Sequence, residues 1–224
     1  MPTVAAVYTA LTLVEPIKEL FRELLPDCRL INIVDDSLIQ DVIRDGRPSP
    51  SVIRRLLVYY QAGFDAGADV ILNTCSSVGE VVDLARPIFE RPIFKIDQPM
   101  AAKAVRTAHS IGVLATLPTT LVPTIRLVQS EAEKIGKKIE IVEGLAEGAF
   151  TALMSGDAQG HDALIRETAL KIAEKVEIIV LAQGSMARME EPLMKHTGKI
   201  VLSSPRLGVL GVKEFLTARD NENR

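Results

Sequence analysis

Residues 70 to 80 read Val-Ile-Leu-Asn-Thr-Cys-Ser-Ser-Val-Gly-Glu, a pattern typical of a buried strand that turns directly into a helix. The apolar run from Val70 to Leu72 is short, as expected for a strand covered on both faces of a parallel sheet. Asn73 ends that run. In open parallel α/β sheets, ligands bind beyond the carboxyl ends of the strands. The stretch therefore predicts an α/β fold with Cys75 at a ligand-binding edge.

The residues around Cys75 suggest a reactive thiol. Ser76 and Ser77 are good N-caps for a helix that starts near Val78, so Cys75 should face the unpaired N–H groups and the positive end of that helix. Such a position lowers the pKa of a thiol and attracts anions. The alternative interpretation is that Cys75 is a small buried hydrophobic residue, which free cysteine often is.

Composition excludes several classes of protein. The 26 positive and 29 negative residues give a net charge of −3 without a basic face or aromatic clusters, so nucleic acid is not an expected partner. The longest apolar runs have the length of a strand, which argues against a membrane partner. The two cysteines, Cys28 and Cys75, and the absence of a signal-peptide pattern indicate free thiols and a cytoplasmic location.

The pattern of the first half of the chain restarts at Ser110. The strand at 111–116 repeats the first strand with an offset of 107 in the numbering, and the segment 178–185 repeats the stretch around Cys75 with an offset of 109. Two further segments, 139–143 and 200–205, repeat earlier strands with offsets of 108 and 106. Four matches with nearly constant offset indicate a duplication.

This duplication predicts two similar α/β lobes, each with a mostly parallel four-stranded sheet flanked by helices. We expect the lobes to be related by a pseudo-twofold axis, with an active-site cleft between them. The predicted boundaries are 1–98 plus 205–224 for the first lobe and 99–204 for the second.

Polar side chains follow the strands in both halves and are the candidate substrate contacts. Hydroxyl and amide groups suit a carboxylate, although each hydroxyl could instead serve only as a helix cap. The candidates are Thr9, Asn73, Thr74, Ser76, Ser77, Thr116, Thr119, Thr120, Gln183, Gly184 and Ser185.

The sequence predicts no metal site and no phosphate-binding loop. His109, His161 and His196 lack the spacing of a metal-ligand set and are interpreted as surface residues. Gly144 and Gly184 stand alone after their strands, outside any glycine-rich fingerprint.

The duplicated lobes and the segment Val70-Ile-Leu-Asn-Thr-Cys75-Ser-Ser resemble the aspartate/glutamate/hydantoin racemase superfamily, which includes maleate isomerases and arylmalonate decarboxylases. The resemblance covers nearly the whole chain and implies that Cys75 is the first catalytic cysteine. Racemases of this superfamily use a second cysteine at the equivalent place in the other lobe, so that one thiolate removes the α-proton and the other thiol returns one.

The second cysteine is absent here. At an offset of 109 the equivalent of Cys75 is Gly184, followed by Ser185 and Met186. One thiol can still act as general base or acid at the carbon next to a carboxylate, or add to a double bond as a nucleophile. We therefore expect a cofactor-independent isomerase that acts on a small carboxylate.

Two alternatives stay open at this stage. One is a cofactor-free decarboxylase of a malonate-like acid, similar to the one-cysteine members of the superfamily. The other is a non-catalytic protein that binds a small carboxylate and needs only the hydroxyl groups. We also expect a homo-oligomer, a dimer or larger.

Overall fold

The computed structural model describes residues 1–222, so the last two positions of the predicted first-lobe segment 205–224 lie outside the described residues. The strands within residues 1–222 are β1 (Thr3–Tyr8), β2 (Arg29–Val34), β3 (Val70–Asn73), β4 (Ile93–Lys95), β5 (Ser110–Ala115), β6 (Glu140–Leu145), β7 (Ile178–Leu181) and β8 (Ile200–Ser203). They form two four-stranded sheets of order β2-β1-β3-β4 and β6-β5-β7-β8. Every pairing is parallel, which confirms the predicted α/β class with two similar sheets.

Helices connect the strands, as parallel pairing requires. They are α1 (Val14–Leu24), α2 (Ser37–Asp45), α3 (Pro50–Asp65), α4 (Gly79–Ala85), α5 (Gln98–Thr107), α6 (Pro118–Lys134), α7 (Ala149–Met154), α8 (Ala158–Ala173), α9 (Glu190–Thr197) and α10 (Ser204–Glu222). Short 3-10 turns occupy Leu11–Leu13, Ser76–Val78 and Gly184–Met189.

The first compact unit comprises Met1–Ile96 and the described residues from Pro205 onward. On one face of its sheet, α2, α3, α4 and the turn before α4 contribute buried apolar side chains that pack with those of β1 and β3. On the other face, α1 and α10 pack against the alternate residues of the same strands. Because both faces are covered, β1 and β3 are buried along their whole length, which explains their uninterrupted apolar sequence.

Helix α3 approaches the first sheet closely at Gly63. A Cβ atom at this position would lie 2.6 Å from Cδ1 of Ile71 and 2.9 Å from Cβ of Ala5. These separations are shorter than a carbon–carbon contact allows. The absence of a side chain at Gly63 therefore lets α3 pack directly on β1 and β3.

The second compact unit comprises Asp97–Ser204. One face of its sheet is packed with apolar side chains from α7, α8, α9 and the preceding 3-10 turn. Helices α5 and α6 contact each other and the strands. The helix that follows β4 thus belongs to the second unit, whereas the helix that follows β8 belongs to the first.

The hydrogen-bond register shows that one predicted equivalence between the two halves is wrong. Val4 pairs with Val70 in the first sheet, and its counterpart Ile111 pairs with Ile178 in the second. Val70 and Ile178 are therefore equivalent, so the third strands of the two halves are offset by 108 rather than by the predicted 109. At this offset Cys75 corresponds to Gln183 and not to Gly184.

Local backbone geometry supports the same equivalence. The N–H group of Thr74 donates to the carbonyl of Val7 at 3.1 Å, and the N–H group of Ala182 donates to that of Leu114 at 2.9 Å. The next residue in each half is extended, with φ of −124° in the first half and −121° at Gln183, and each immediately precedes a 3-10 turn.

The register also corrects the offsets at the outer strands. Leu30 and Ile141 take equivalent places in β2 and β6, a difference of 111 rather than the predicted 108. Ile93 and Val201 take equivalent places in β4 and β8, a difference of 108 rather than 106. Insertions in the connections between the strands shift the offset from one strand to the next.

Candidate active site

The candidate residues of the first half gather at the carboxyl edge of the first sheet. Thr9 follows β1, and the segment from Asn73 to Ser77 ends β3 and enters the 3-10 turn. Thr9 is 3% exposed, and the least buried hydroxyl of this group, that of Ser76, belongs to a residue that is 7% exposed. Cys75 is half-buried among them. The structure thus surrounds one thiol with polar groups.

The pKa of Cys75 differs from the prediction. Burial raises the pKa of the Cys75 thiol above its ordinary value, and this effect outweighs the hydrogen bonds that favour the thiolate. Those bonds come from the hydroxyl of Thr9, the backbone N–H groups of Ser77 and Val78, and the hydroxyl of Ser77. All four donors are neutral. The sequence predicted a lowered pKa, so that prediction was wrong.

The local backbone explains the difference. The segment after Cys75 is a 3-10 turn of three residues followed by α4, which has only seven residues. The N-cap of α4 is Val78, which offers no side-chain cap, so neither Ser76 nor Ser77 caps this helix as predicted. Such a short helix offers little dipole to set against the burial of the sulfur.

Asn73 fixes the main chain of Cys75. Its Nδ2 group donates to the backbone carbonyl of Cys75 at 2.9 Å, and its Oδ1 atom accepts from the buried hydroxyl of Tyr60 at 3.1 Å. Burial and the proximity of Cys75 raise the pKa of Tyr60, so this hydroxyl stays a donor. Sequence analysis missed Tyr60, although its place on the apolar face of α3 could have indicated it.

Thr74 has a structural role. Its hydroxyl donates to the carbonyl of Val7 at 2.9 Å, and its N–H group donates to the same carbonyl. Both bonds hold the end of β3 against β1. The hydroxyl of Thr74 thus has a partner in the neighbouring strand rather than at a helix end, and its contact with a substrate stays a prediction.

Lys95 is a second residue that sequence analysis missed. It ends β4 beside Asn73 in the register, and only 7% of it is exposed. Its Nζ atom lies 2.6 Å from Oδ2 of Asp83 on α4. This ion pair ties α4 to the edge of the sheet next to the thiol.

The candidate residues of the second half gather at the carboxyl edge of the second sheet. Thr116 follows β5, and Gln183 follows β7 after one intervening residue. The backbone N–H group of Thr116 donates to Oε1 of Gln183 at 2.7 Å, and Nε2 of Gln183 lies 2.8 Å from the hydroxyl oxygen of Thr116. Thr9 with Cys75 and Thr116 with Gln183 are thus equivalent pairs.

The remaining predicted residues of the second half lie at the starts of the following segments. Thr119 and Thr120 are in the first turn of α6, and the hydroxyl of Thr119 is buried without a hydrogen-bond partner within residues 1–222. Gly184 and Ser185 are half-buried in the 3-10 turn after Gln183. Whether the edges of the two sheets share one cleft stays a prediction.

One histidine departs from the sequence interpretation. His109 and His196 are exposed as expected, but His161 is only 1% exposed. Its Nδ1 atom lies 2.8 Å from Oδ1 of Asp162, and Asp162 also binds Arg188. His161 starts the buried face of α8, which explains its burial. The residues from 1 to 222 include no group of three or more His, Cys, Asp or Glu side chains that could hold a metal ion.

The fold and the residues at the strand ends define a class of protein, namely α/β proteins with two parallel sheets and polar side chains at the carboxyl ends of their strands. Residues 6–210 match the sequence family described as Asp/Glu/Hydantoin racemase. The chain belongs to this family. The family assignment identifies the protein as a racemase-like isomerase.

Solved structures share the fold. Allantoin racemase from Klebsiella pneumoniae is similar with a TM-score of 0.72 at 18% identity, over 98% of this chain and 89% of that one. A glutamate racemase isoform from Bacillus anthracis is similar with a TM-score of 0.77 at 13% identity, over 97% and 82% of the two chains. An arylmalonate decarboxylase gives a TM-score of 0.60 at 13% identity, over 94% and 90%.

No curated protein sequence matches the chain. None of the helices within residues 1–222 is long and apolar enough to cross a membrane.

Proposed function

We propose that the protein is a cofactor-independent isomerase that acts at the carbon next to the carboxylate of a small acid, with Cys75 as the group that carries the proton. The observation that supports this proposal is the environment of the Cys75 sulfur, which lies at the carboxyl edge of a parallel sheet among four neutral hydrogen-bond donors. A buried thiol used only for packing would not need such donors.

The donors match the charge that the reaction develops. Removal of a proton next to a carboxylate produces an enediolate, whose oxygens need preorganised donors in a site that excludes water. The buried hydroxyl of Ser76, the residue after Cys75, suits this task. Neutral donors bind a carboxylate and its enediolate without a metal or an organic cofactor.

The raised pKa of Cys75 determines how the reaction depends on pH. At neutral pH the thiol is mostly protonated and is ready to donate a proton to a carbanion-like intermediate. In the other direction only the thiolate can accept the α-proton, and its fraction increases with pH. Exchange of the α-hydrogen with solvent needs both directions, so its rate should increase with pH.

Solvent deuterium incorporation tests the proposal. Small α-substituted acids are incubated with the protein in deuterated buffer, and exchange of the hydrogen next to the carboxylate is followed by NMR. We expect Cys75→Ala to lower exchange by a factor of about 10²–10⁴, the usual contribution of a positioned acid or base. The fold should persist, because loss of one sulfur leaves only a small cavity.

Cys28→Ser is the matched control. Cys28 lies just before β2, and the carboxyl ends of the strands carry the candidate site at the other edge of the sheet. Its replacement should leave the exchange rate within about twofold of that of the parent, as for a substitution away from the site. Exchange that survives in Cys75→Ala, or that is lost equally in both variants, would contradict the assignment to Cys75.

A second candidate function is cofactor-free decarboxylation of a malonate-like acid. Gln183, at the place equivalent to Cys75, has an amide that neither donates nor accepts a proton in acid–base catalysis. Decarboxylation needs only one proton donor, and the protonated Cys75 thiol suits that role. Release of carbon dioxide from a substituted malonate, with one solvent deuterium incorporated per turnover, would favour this function over isomerisation.

A further inference from the structure

We propose that Gln183 and Thr116 form a pair that recognises a carboxylate. In the second unit, Gln183 takes the place that Cys75 takes in the first. This inference rests on the proposed function and assigns to Gln183 a specificity role for the same class of acid. The register equivalence of Gln183 with Cys75, and of Thr116 with Thr9, is its starting point.

The orientation of the Gln183 amide is determined by its contacts. Oε1 must be the atom that faces the backbone N–H group of Thr116 at 2.7 Å, because an N–H group cannot donate to an NH₂ group. Nε2 then lies 2.8 Å from the hydroxyl oxygen of Thr116 and donates to it. The amide is held at two points and cannot rotate without losing both bonds.

This orientation leaves one amide proton of Gln183 for a ligand, and a bound carboxylate can draw a second proton from the Thr116 hydroxyl. Nε2 carries a second N–H group, which has no acceptor within residues 1–222. Without a ligand, the Thr116 hydroxyl donates to Oε1 of Gln183 at 3.0 Å, and the same oxygen accepts from the backbone N–H group of Thr116. A charged acceptor binds a donor more strongly than a neutral one, so the hydroxyl proton should turn toward a bound carboxylate.

The two donors are ordered and partly shielded from water. Thr116 is 5% exposed and Gln183 is half-buried. Two neutral donors side by side can recognise the two oxygens of a carboxylate, and the buried hydroxyl of Thr119, which has no partner among residues 1–222, adds a third polar group at the same end of the strand. A thiol at position 183 could exchange protons, whereas the amide can only bind. The glutamine therefore supplies recognition where a thiol would supply reactivity.

Gln183→Glu tests this inference sharply. The glutamate keeps an oxygen that accepts from the Thr116 N–H group, so the turn should fold and the melting temperature should change little. The amide donor is lost and a negative charge faces the ligand. We expect the dissociation constants of malonate, maleate and D- and L-aspartate, measured by calorimetry, to rise about tenfold or more for each acid that the parent binds.

Thr116→Val is the second variant, because it removes the hydroxyl and keeps the shape of the side chain. The dissociation constants of the same acids should rise about threefold to tenfold, as expected for the loss of one hydrogen bond. Gln159→Glu is the control for charge, since Gln159 is exposed on α8. It should leave the affinities within about twofold.

Cys75→Ala separates this inference from the proposed function. It should bind the acids with the affinity of the parent, because recognition does not need the thiol. Parent-like affinity in both Gln183→Glu and Thr116→Val would overturn the recognition pair and leave the role of Cys75 intact. A parent that binds none of the four acids would also overturn it, while exchange that survives in Cys75→Ala would count against the proposed function alone.

Discussion

At the scale of single residues, Thr9 adjusts the acidity of Cys75. Its hydroxyl favours the thiolate, whereas burial opposes it. We predict that Thr9→Val raises the pKa of Cys75 further, because a hydrogen bond to a charged group contributes about 1.5–3 kcal/mol. The rate of iodoacetamide labelling of Cys75 at a fixed pH, followed by mass spectrometry, should then fall about tenfold or more, since about 1.4 kcal/mol corresponds to one decade in the thiolate fraction.

Two comparisons make the labelling experiment specific. Thr9→Ser keeps a hydroxyl and should return the pH profile toward that of the parent. Cys28 is an internal reference in the same digest, since burial raises its pKa to about 11 and Thr9 is not among the groups that set it. A profile for Cys75 that does not move in Thr9→Val would show that Thr9 does not stabilise the thiolate.

The position of Cys75 could be predicted from the sequence, but its acidity could not. The end of an apolar strand is a local pattern, whereas the burial of the sulfur depends on residues distant in sequence, such as Tyr60. The assignment of Gly184 as the equivalent of Cys75 was wrong for a related reason. An apolar run can shift by one position without losing its pattern, and only the hydrogen-bond register fixes the pairing.

At the scale of secondary-structure elements, Asp35 joins β2 to two helices. Its carboxylate accepts from Ser37, which starts α2, and from Tyr59 and Arg55 on α3. Partial burial opposes ionisation, but the hydrogen bonds from Ser37, Tyr59 and Arg55 and the charge of Arg55 outweigh it and lower the pKa of Asp35 to about 2. These contacts stabilise the folded state only while Asp35 is ionised.

The sign of the pH dependence follows from this lowered pKa. The stabilisation is fully present above the ordinary carboxyl pKa of about 4 and is lost as the pH falls toward 2. We predict that Asp35→Asn lowers the free energy of unfolding at pH 7 by about 1–2 kcal/mol, a value reduced for partial solvent screening. Urea unfolding at pH 7 and pH 2.5 measures the effect, and the difference from the parent should shrink at the lower pH.

Asp36→Asn is the neighbouring control, because Asp36 is exposed. Its stability should remain within about 0.5 kcal/mol of the parent. A destabilisation by Asp35→Asn that is equally large at both pH values would indicate that the packing of the side chain, rather than its charge, is what matters.

Some secondary-structure elements can be predicted from local sequence patterns, whereas others depend on contacts between residues distant in sequence. The strands β3 and β7 have apolar patterns that locate them well, because burial in a sheet is a strong local signal. The segment from Asp35 to Ser37 is polar throughout and has the composition of a turn, yet α2 begins at Ser37. The contacts that hold this helix start reach Arg55 and Tyr59 on α3, far along the chain, and no local pattern reports them.

At the scale of the whole molecule, the two units differ in chain continuity. The second unit is one continuous segment, whereas the sheet of the first is covered on one face by α10 from the far end of the chain. We predict that an excised fragment of residues 97–204 unfolds cooperatively on heating. A fragment of residues 1–96 should not, because the apolar face formed by Val4, Val70 and Leu72 would lose its cover from Val209 and Val212.

Circular dichroism against temperature compares the two fragments, with the full chain as reference. Adding a synthetic peptide of residues 204–222 to the fragment 1–96 should restore part of the cooperative transition. A fragment 1–96 that melts as sharply alone as with the peptide would show that α10 is not needed to complete the first unit.

The late position of α10 imposes an order on synthesis. The ribosome makes β1 to β4 first, then the whole segment from Asp97 to Ser204, and only then the helix that covers the first sheet. At about 5–20 residues per second, the incomplete sheet waits roughly 5–20 s with this apolar face covered by α1 alone. The segment that is translated second is thus the first that can finish folding. During that interval, we expect chaperones or rapid translation to protect the nascent first half from aggregation.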